Sequence, residues 1–133
     1  MELGINLWAT LAAFVIHEAL GGLWYSKLLF SRPWMALVGK TEGDIKGVGK
    51  ALALNSIASL ILTYFLALFI NLAGPATLLE GMQVAFYLWL GFIATTASAE
   101  VFFVGKPWKL FWINAGYRLV AMLLMSIVLT LWP

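Results

Sequence analysis

Four long apolar stretches alternate with short polar connections along the chain, and its four prolines all fall outside those stretches. Each stretch holds the roughly 20 residues that a helix needs to cross a hydrocarbon core about 30 Å thick. Prolines at such positions cost little, because no hydrogen bond within a helix depends on their missing N–H. The pattern therefore predicts an all-α membrane protein of one domain, residues 1–133, with four transmembrane helices at approximately residues 5–29, 50–73, 79–104 and 108–132.

The first connection, about residues 30–49, is longer than the other two and has two parts. Its first part, Phe30 to Gly39, is apolar and aromatic but too short to span, so we predict a short interfacial helix that lies along the membrane surface. The second part, Lys40 to Gly49, is polar and rich in glycine, which predicts a mobile loop. Gly74-Pro75 and Gly105-Lys106-Pro107 predict tight turns after the second and third spans.

The composition points to the same class of protein. Hydrophobic residues make up 63% of the chain and charged residues only 11%, against about 25% charged residues in an ordinary soluble domain. A soluble domain of this size could not bury so much apolar surface. The chain has no cysteine, which excludes disulfides and thiolate metal sites. Its net charge of +2 is too small to indicate a nucleic-acid partner, and we expect the lipid bilayer as its surroundings.

The basic residues predict the orientation, because cytoplasmic loops carry the excess of Lys and Arg. Apart from Arg118, they are confined to the first and third connections and their flanks: Lys27, Arg32, Lys40, Lys46, Lys50, Lys106 and Lys109. The second connection carries only Glu80, and neither terminus has a basic residue. We therefore predict a multi-pass protein of the cell (inner) membrane with both termini outside and with loops 30–49 and 105–107 in the cytoplasm.

Polar side chains inside the predicted spans form a candidate polar centre near the inner side: His17, Glu18, Asn55, Ser59, Thr96, Glu100, Asn114 and Arg118. A charged group within a span costs on the order of 2.5–3.5 kcal/mol, so each one needs a partner. The helical rise places Arg118 and Glu18 at similar depths, roughly 12–16 Å from the inner edge, and places Glu100 at a shallower depth. We therefore expect Arg118 to pair with Glu18, with Glu100 as the other candidate.

Residues four apart share one face of a helix, and three such pairs occur in the candidate centre: Asn55–Ser59, Thr96–Glu100 and Asn114–Arg118. The spacing predicts one polar stripe on each helix, with the stripes pointing at one another in the bundle. His17 and Glu18 are neighbours and point about 100° apart, so we predict that they do not pair directly. A neutral His17 would instead bond to a hydroxyl or a carbonyl.

This polar centre has two interpretations. It is either a buried network that fixes the order of the helices or a proton- or ion-linked site. His17, Glu18 and Glu100 could in principle supply three metal ligands, but Arg118 in the same place argues against a bound cation. We therefore predict no metal and no cofactor.

Two motifs carry a family resemblance: Gly22, Trp24, Tyr25, Phe30 and Trp34 around the end of the first span, and Pro107 and Tyr117 within residues 103–120. They resemble the signatures of the bacterial membrane-protein family known as domain of unknown function 1761, and the resemblance covers the whole chain. It implies four helices in the same order and no assigned activity. Asn114 and Arg118 depart from the family pattern, in which Asp and His are common there, so no titrating role is carried over to them.

The sequence thus favours a homo-oligomeric transport or channel-like protein for a small solute, a proton or an ion, with its site around Glu18, Glu100, Asn114 and Arg118. The alternative is a non-catalytic structural or accessory subunit of a larger membrane complex. An enzyme is disfavoured, because the sequence contains no motif for a nucleophile, a metal or a cofactor. The expected protein partners are copies of the chain itself or other membrane subunits.

Overall fold

The computed structural model describes residues 4–45 and 48–133 of the chain. Within those residues the chain forms helices and no strands: α1 Leu7–Trp24, α2 Ser31–Val38, α3 Glu42–Ile45, α4 Gly49–Ala73, α5 Leu78–Val104 and α6 Trp108–Leu131. Four of these helices, α1, α4, α5 and α6, are long and apolar enough to cross a membrane. The predicted all-helical architecture with four long apolar helices is confirmed.

Helix α6 is the centre of the bundle, because it packs against α1, α4 and α5. Of the 18 most apolar consecutive residues of α6, 44% are buried, against 11% of the corresponding residues of α5. The core around α6 combines large aromatic side chains, such as Trp89 and Phe111, with small or flexible ones: Ala115, Ala121 and Met125 are almost fully buried. The outer faces of the other three helices expose large apolar side chains, which is the arrangement that a lipid environment stabilises.

The helix ends follow from local side-chain chemistry. Asn6 accepts hydrogen bonds from the backbone N–H groups of Trp8 and Ala9 at the start of α1, which is ordinary N-capping. Gly74 (φ 57°) and Gly105 (φ 77°) directly follow α4 and α5. Both have the left-handed backbone conformation that commonly ends a helix and that glycine adopts without steric strain. The observed bounds of α4, α5 and α6 lie within one residue of the predicted ones, which is within the uncertainty of helix ends.

The first span is shorter than predicted, because α1 ends at Trp24 and not near residue 29. Ser26 Oγ donates to the carbonyl of Leu23 at 2.6 Å, and the backbone N–H of Phe30 turns back to the carbonyl of Trp24 at 3.0 Å. A serine that bonds to nearby backbone competes with the helical ladder. Trp24 also donates from its indole to the carbonyl of Ile113 at 2.8 Å, which holds this turn against α6.

The first connection contains the predicted short helix, here α2, but the prediction of a loop for the rest was wrong in part. Helix α3 occupies Glu42–Ile45, and α4 already begins at Gly49. Asp44 accepts hydrogen bonds from the backbone N–H and the hydroxyl of Thr41. These bonds stabilise the ionised carboxylate and so lower the pKa of Asp44. They also give the Thr41 N–H, which directly precedes α3, an acceptor. Lys46 lies outside the described residues.

Candidate functional site

A chain of hydrogen bonds joins α6 to α1 in the half of the bundle near the first and third connections. Arg118 Nη1 lies 2.8 Å from His17 Nε2, and a guanidinium can only donate, so Nε2 must accept. The proton of the neutral imidazole is then on Nδ1, which donates to Glu18 Oε1 at 3.3 Å. This tautomer is assigned from the hydrogen-bond network. His17 is completely buried, so it bridges two charged groups away from solvent.

Helix α4 completes the chain. Ser56 Oγ donates to Glu18 Oε2 at 2.7 Å, and the Glu18 side chain keeps 34% of its surface exposed. We call the set Arg118, His17, Glu18 and Ser56 the relay. It joins three helices, it contains one positive and one negative group, and its carboxylate end is only partly buried.

Two predictions about these charges were wrong. Among the described residues no ion pair joins Arg118 directly to a carboxylate, because the imidazole of His17 lies between Arg118 and Glu18. His17 and Glu18 do interact, although neighbouring positions on a helix point about 100° apart. A Glu side chain has enough rotatable bonds to bring its carboxylate back to the adjacent ring. Depth along the helix identified the right partners but could not show the residue between them.

Tyr117 holds the relay in place from α6. Its hydroxyl donates to the backbone carbonyl of His17 at 2.8 Å, and its ring packs against the imidazole with centroids 5.1 Å apart. A Cβ built on Gly21 would lie 2.8 Å from that hydroxyl, so α1 can approach Tyr117 only because residue 21 has no side chain. A Cβ on Gly22, the glycine of the first motif, meets open space.

The aromatic residues of the two motifs pack on each other beside the relay. The rings of Trp24 and Phe30 have centroids 4.9 Å apart, those of Tyr25 and Trp34 are 6.1 Å apart, and Tyr25 lies 5.5 Å from Tyr117. Two distant segments of the sequence thus form one cluster where α1, α2 and α6 meet.

Asn114 connects this aromatic cluster to the outer side of α6. Tyr25 donates from its hydroxyl to Asn114 Oδ1 at 2.7 Å, while the amide is only half-buried. Pro107, the proline of the second motif, is exposed and directly precedes α6. Its fixed φ suits the residue that leads into a helix.

Three predicted members of the polar centre lie on outward surfaces of the bundle: Asn55, Thr96 and Glu100. The prediction that all stripes converge was therefore wrong for α5. Thr96 donates to the carbonyl of Phe92 and so satisfies its hydroxyl within its own helix. Two π-helical segments, Trp89–Ala94 and Glu100–Val104, interrupt α5. Because a π turn changes the helical repeat, the face that a regular α-helix would present is not kept along α5.

On α4 the inward face carries Ser56, Ser59 and Thr63, and Asn55 is not part of it. Ser59 is buried, as predicted, and its hydroxyl has no partner in the part of the chain that the structure describes. Sequence reasoning missed Ser56. The signal was available, because positions 56, 59 and 63 follow the three-and-four spacing of one helical face.

The side chains that could bind a metal, His, Asp and Glu, do not form a cluster among the described residues. No three His, Asp or Glu side chains within residues 4–45 and 48–133 are close enough to bind one ion together. Glu100, which was a candidate ligand, instead borders a small cavity between α5 and α6 that also contacts Lys106 and Asn114.

Fold and site together define the class: an all-helical chain with four long helices apolar enough to cross a membrane, three of which contribute to a hydrogen-bonded relay with two charged side chains. The chain belongs to the family described as "Protein of unknown function (DUF1761)", whose model matches residues 8–130. The resemblance read from the two motifs is thereby confirmed. No curated protein and no solved structure matches the chain.

Proposed function

We propose that this chain is a multi-pass inner-membrane protein that transports protons, or a small solute together with protons, at the relay. The observation that carries the proposal is a continuous hydrogen-bonded chain, Arg118–His17–Glu18–Ser56, that reaches a partly exposed carboxylate. A carboxylate that both binds a proton and remains accessible is the minimum that proton-linked transport requires. Groups of this kind within spans usually mark such pathways.

The charges of the relay give it two states. With Glu18 ionised, the positive Arg118 and the negative Glu18 balance through the neutral imidazole. When Glu18 takes up a proton, the relay has one uncompensated positive charge, and the carboxylic acid can donate a hydrogen bond where it previously only accepted. With that proton on Oε2, Ser56 Oγ and Glu18 would both present donors, so the Ser56 hydroxyl must turn and accept, while Oε1 still accepts from His17 Nδ1. The protonated and ionised forms of Glu18 thus make different hydrogen bonds. Protonation can shift a conformational equilibrium only through such a difference.

The decisive experiment is proton flux into liposomes that contain the purified protein. We expect a flux driven by a pH gradient or by a solute gradient, reduced at least tenfold in Glu18→Gln because the amide cannot exchange the proton. The matched control is Glu42→Gln, which removes a carboxylate paired with Lys27 in an exposed position and should leave the flux unchanged. Liposomes that remain tight under every gradient would contradict transport and favour the accessory-subunit alternative.

The proposed orientation has both termini outside and loops 30–49 and 105–107 in the cytoplasm. Its support is the confinement of every Lys and Arg except Arg118 to the first and third connections and their flanks. Single cysteines at positions 42 and 80, treated with an impermeant reagent on intact cells, test it. Labelling at position 80 with none at position 42 is the expected result, and the reverse pattern would overturn the orientation.

We also propose that the chain acts as a homo-oligomer. Its support is the polar side chain of Asn55, which α4 exposes within a helix long enough to span, since polar side chains between membrane helices bond across interfaces. Native mass spectrometry in several mild detergents should show a multimer. Monomer in every detergent would contradict the proposal.

A further inference from the structure

A cavity of about 170 Å³ lies between the last turns of α5 and the first turns of α6, away from the relay. Its apolar wall includes Leu110 and Phe111, which are 4% and 9% exposed. Three polar side chains border it: Glu100, Lys106 and Asn114. The proposed transport mechanism uses none of these three groups, so the cavity requires its own explanation.

The two charged groups of the cavity do not neutralise each other. Glu100 and Lys106 border the same space, yet no ion pair joins them in the ranges that the structure describes. Their backbones are held together by the Lys106 N–H, which donates to the carbonyl of Glu100 at 3.2 Å. The turn at Gly105 therefore brings an acidic and a basic residue to the lining of one small cavity.

Asn114 adds a donor to this arrangement. Its amide oxygen already accepts from the Tyr25 hydroxyl at 2.7 Å, which orients the side chain and leaves the Nδ2 hydrogens for another acceptor. The cavity thus offers one charged acceptor at Glu100 and two donors, the Lys106 ammonium and the Asn114 amide. That is a complementary pair of opposite charges beside an apolar wall.

We propose that this cavity binds a small zwitterionic solute, with its ammonium at Glu100 and its carboxylate at Lys106 and Asn114. The inference rests on the proposed transport function, for which it names the class of solute. The size agrees, since the cavity has the volume of about five or six water molecules at about 30 Å³ each, as a small amino acid requires. Charge-assisted hydrogen bonds at both ends would give the selectivity.

The test is equilibrium binding to the purified full chain, measured by calorimetry without any gradient. The probes are glycine, β-alanine and γ-aminobutyrate, which separate their two charges by increasing distances, with propionate and propylamine as analogues that carry one charge each. We expect one or more of the zwitterions to bind at least tenfold more tightly than either analogue. Glu100→Gln and Lys106→Met should each weaken that binding at least about tenfold, and Glu42→Gln should not change it.

Three results would overturn the inference: no binding of any zwitterion, equal binding of the single-charge analogues, or retention of phosphatidylethanolamine in native mass spectra that is lost in Glu100→Gln. The last result would assign the cavity to a lipid headgroup. Glu18→Gln separates this inference from the proposed function, because the variant should bind the zwitterion normally while its flux is lost. Binding without flux in the unmodified chain would contradict transport alone, and flux without binding would contradict only the zwitterion.

Discussion

Two regions of this molecule place charged side chains within or directly beside long apolar helices, and the partners of those charges differ. In the relay, Arg118 and Glu18 are joined through His17, which is completely buried, and Ser56 supplies a further bond. In the cavity between α5 and α6, the charged groups Glu100 and Lys106 lie near each other without an ion pair among the described residues.

The difference shows that being charged inside a span does not by itself define one kind of site. A charge surrounded by hydrogen-bond partners stabilises the arrangement of its helices, and its removal leaves other groups unsatisfied. A charge beside a cavity, with no ion pair among the described residues, leaves no such partner behind, and we expect it to contribute little to folding. We therefore expect variants of the relay to lose stability and variants of the cavity to lose binding.

The largest loss of stability should come from Arg118→Met and His17→Leu. Each removes one link and leaves a charged partner uncompensated, which costs about 3–5 kcal/mol in soluble proteins and less in membranes, where other partners substitute. We expect the free energy of unfolding in detergent to fall by about 2–3 kcal/mol. Arg32→Met, at an exposed position, is the matched control. If Arg118→Met lowered the free energy of unfolding no more than Arg32→Met does, the relay would not stabilise the fold.

The next effect is energetic coupling between Arg118 and Glu18. A double-mutant cycle with Arg118→Met and Glu18→Gln should give a coupling energy of about 1–2 kcal/mol, typical of residues in one network. Repeated in a His17→Leu background, the coupling should fall below about 0.5 kcal/mol, because the imidazole carries it. Unchanged coupling without His17 would mean that the two charges interact directly, contrary to the structure.

Gly21 and Gly22 offer a smaller and more local comparison. Gly21→Ala places a methyl group 2.8 Å from the Tyr117 hydroxyl and should displace the ring that supports His17, at a cost of about 1–3 kcal/mol. Gly22→Ala meets open space and should be neutral or stabilising by up to about 1 kcal/mol, because alanine favours the helix. Thermal unfolding of the two variants decides this, and equal midpoints would refute the close approach of α1 to Tyr117.

The smallest effects on stability should come from the cavity. Glu100→Gln and Lys106→Met should each change the free energy of unfolding by less than about 0.5 kcal/mol, since the structure shows neither side chain in an ion pair. Chemical denaturation in the same detergent measures this. A loss comparable to that of Arg118→Met would show that the two charges support the fold, and the contrast between the regions would disappear.

Most of the fold could be predicted from the sequence, because the lengths of the apolar stretches and the positions of Gly74 and Gly105 determine where long helices begin and end. The early end of α1 at Trp24 could not, since it depends on Ser26 bonding to its own backbone and on Trp24 bonding to α6. Such tertiary contacts leave no trace in hydropathy.

The candidate site could be predicted only in part. Helical rise gave the common depth of Glu18 and Arg118, but depth does not specify rotation about the helix axis, so His17 as the bridge was missed. Asn55 was chosen although its neighbour Ser56 has the inward position, because a pair spaced by four residues fits more than one face. Glu100 was placed inward on the assumption that α5 is a regular α-helix.

The two π-helical segments of α5 also bear on how this protein tolerates changes in length. A π turn closes its hydrogen bonds over one residue more than an α turn, so Trp89–Ala94 is equivalent to an α-helix that has absorbed an inserted residue. Deleting one residue there can restore ordinary α geometry without rotating the rest of the helix. The same deletion in α6 would rotate everything beyond it by about 100° and separate Arg118 from His17. The helix at the edge of the bundle can therefore lose a residue at this segment, whereas the central helix cannot lose one between its start and Arg118.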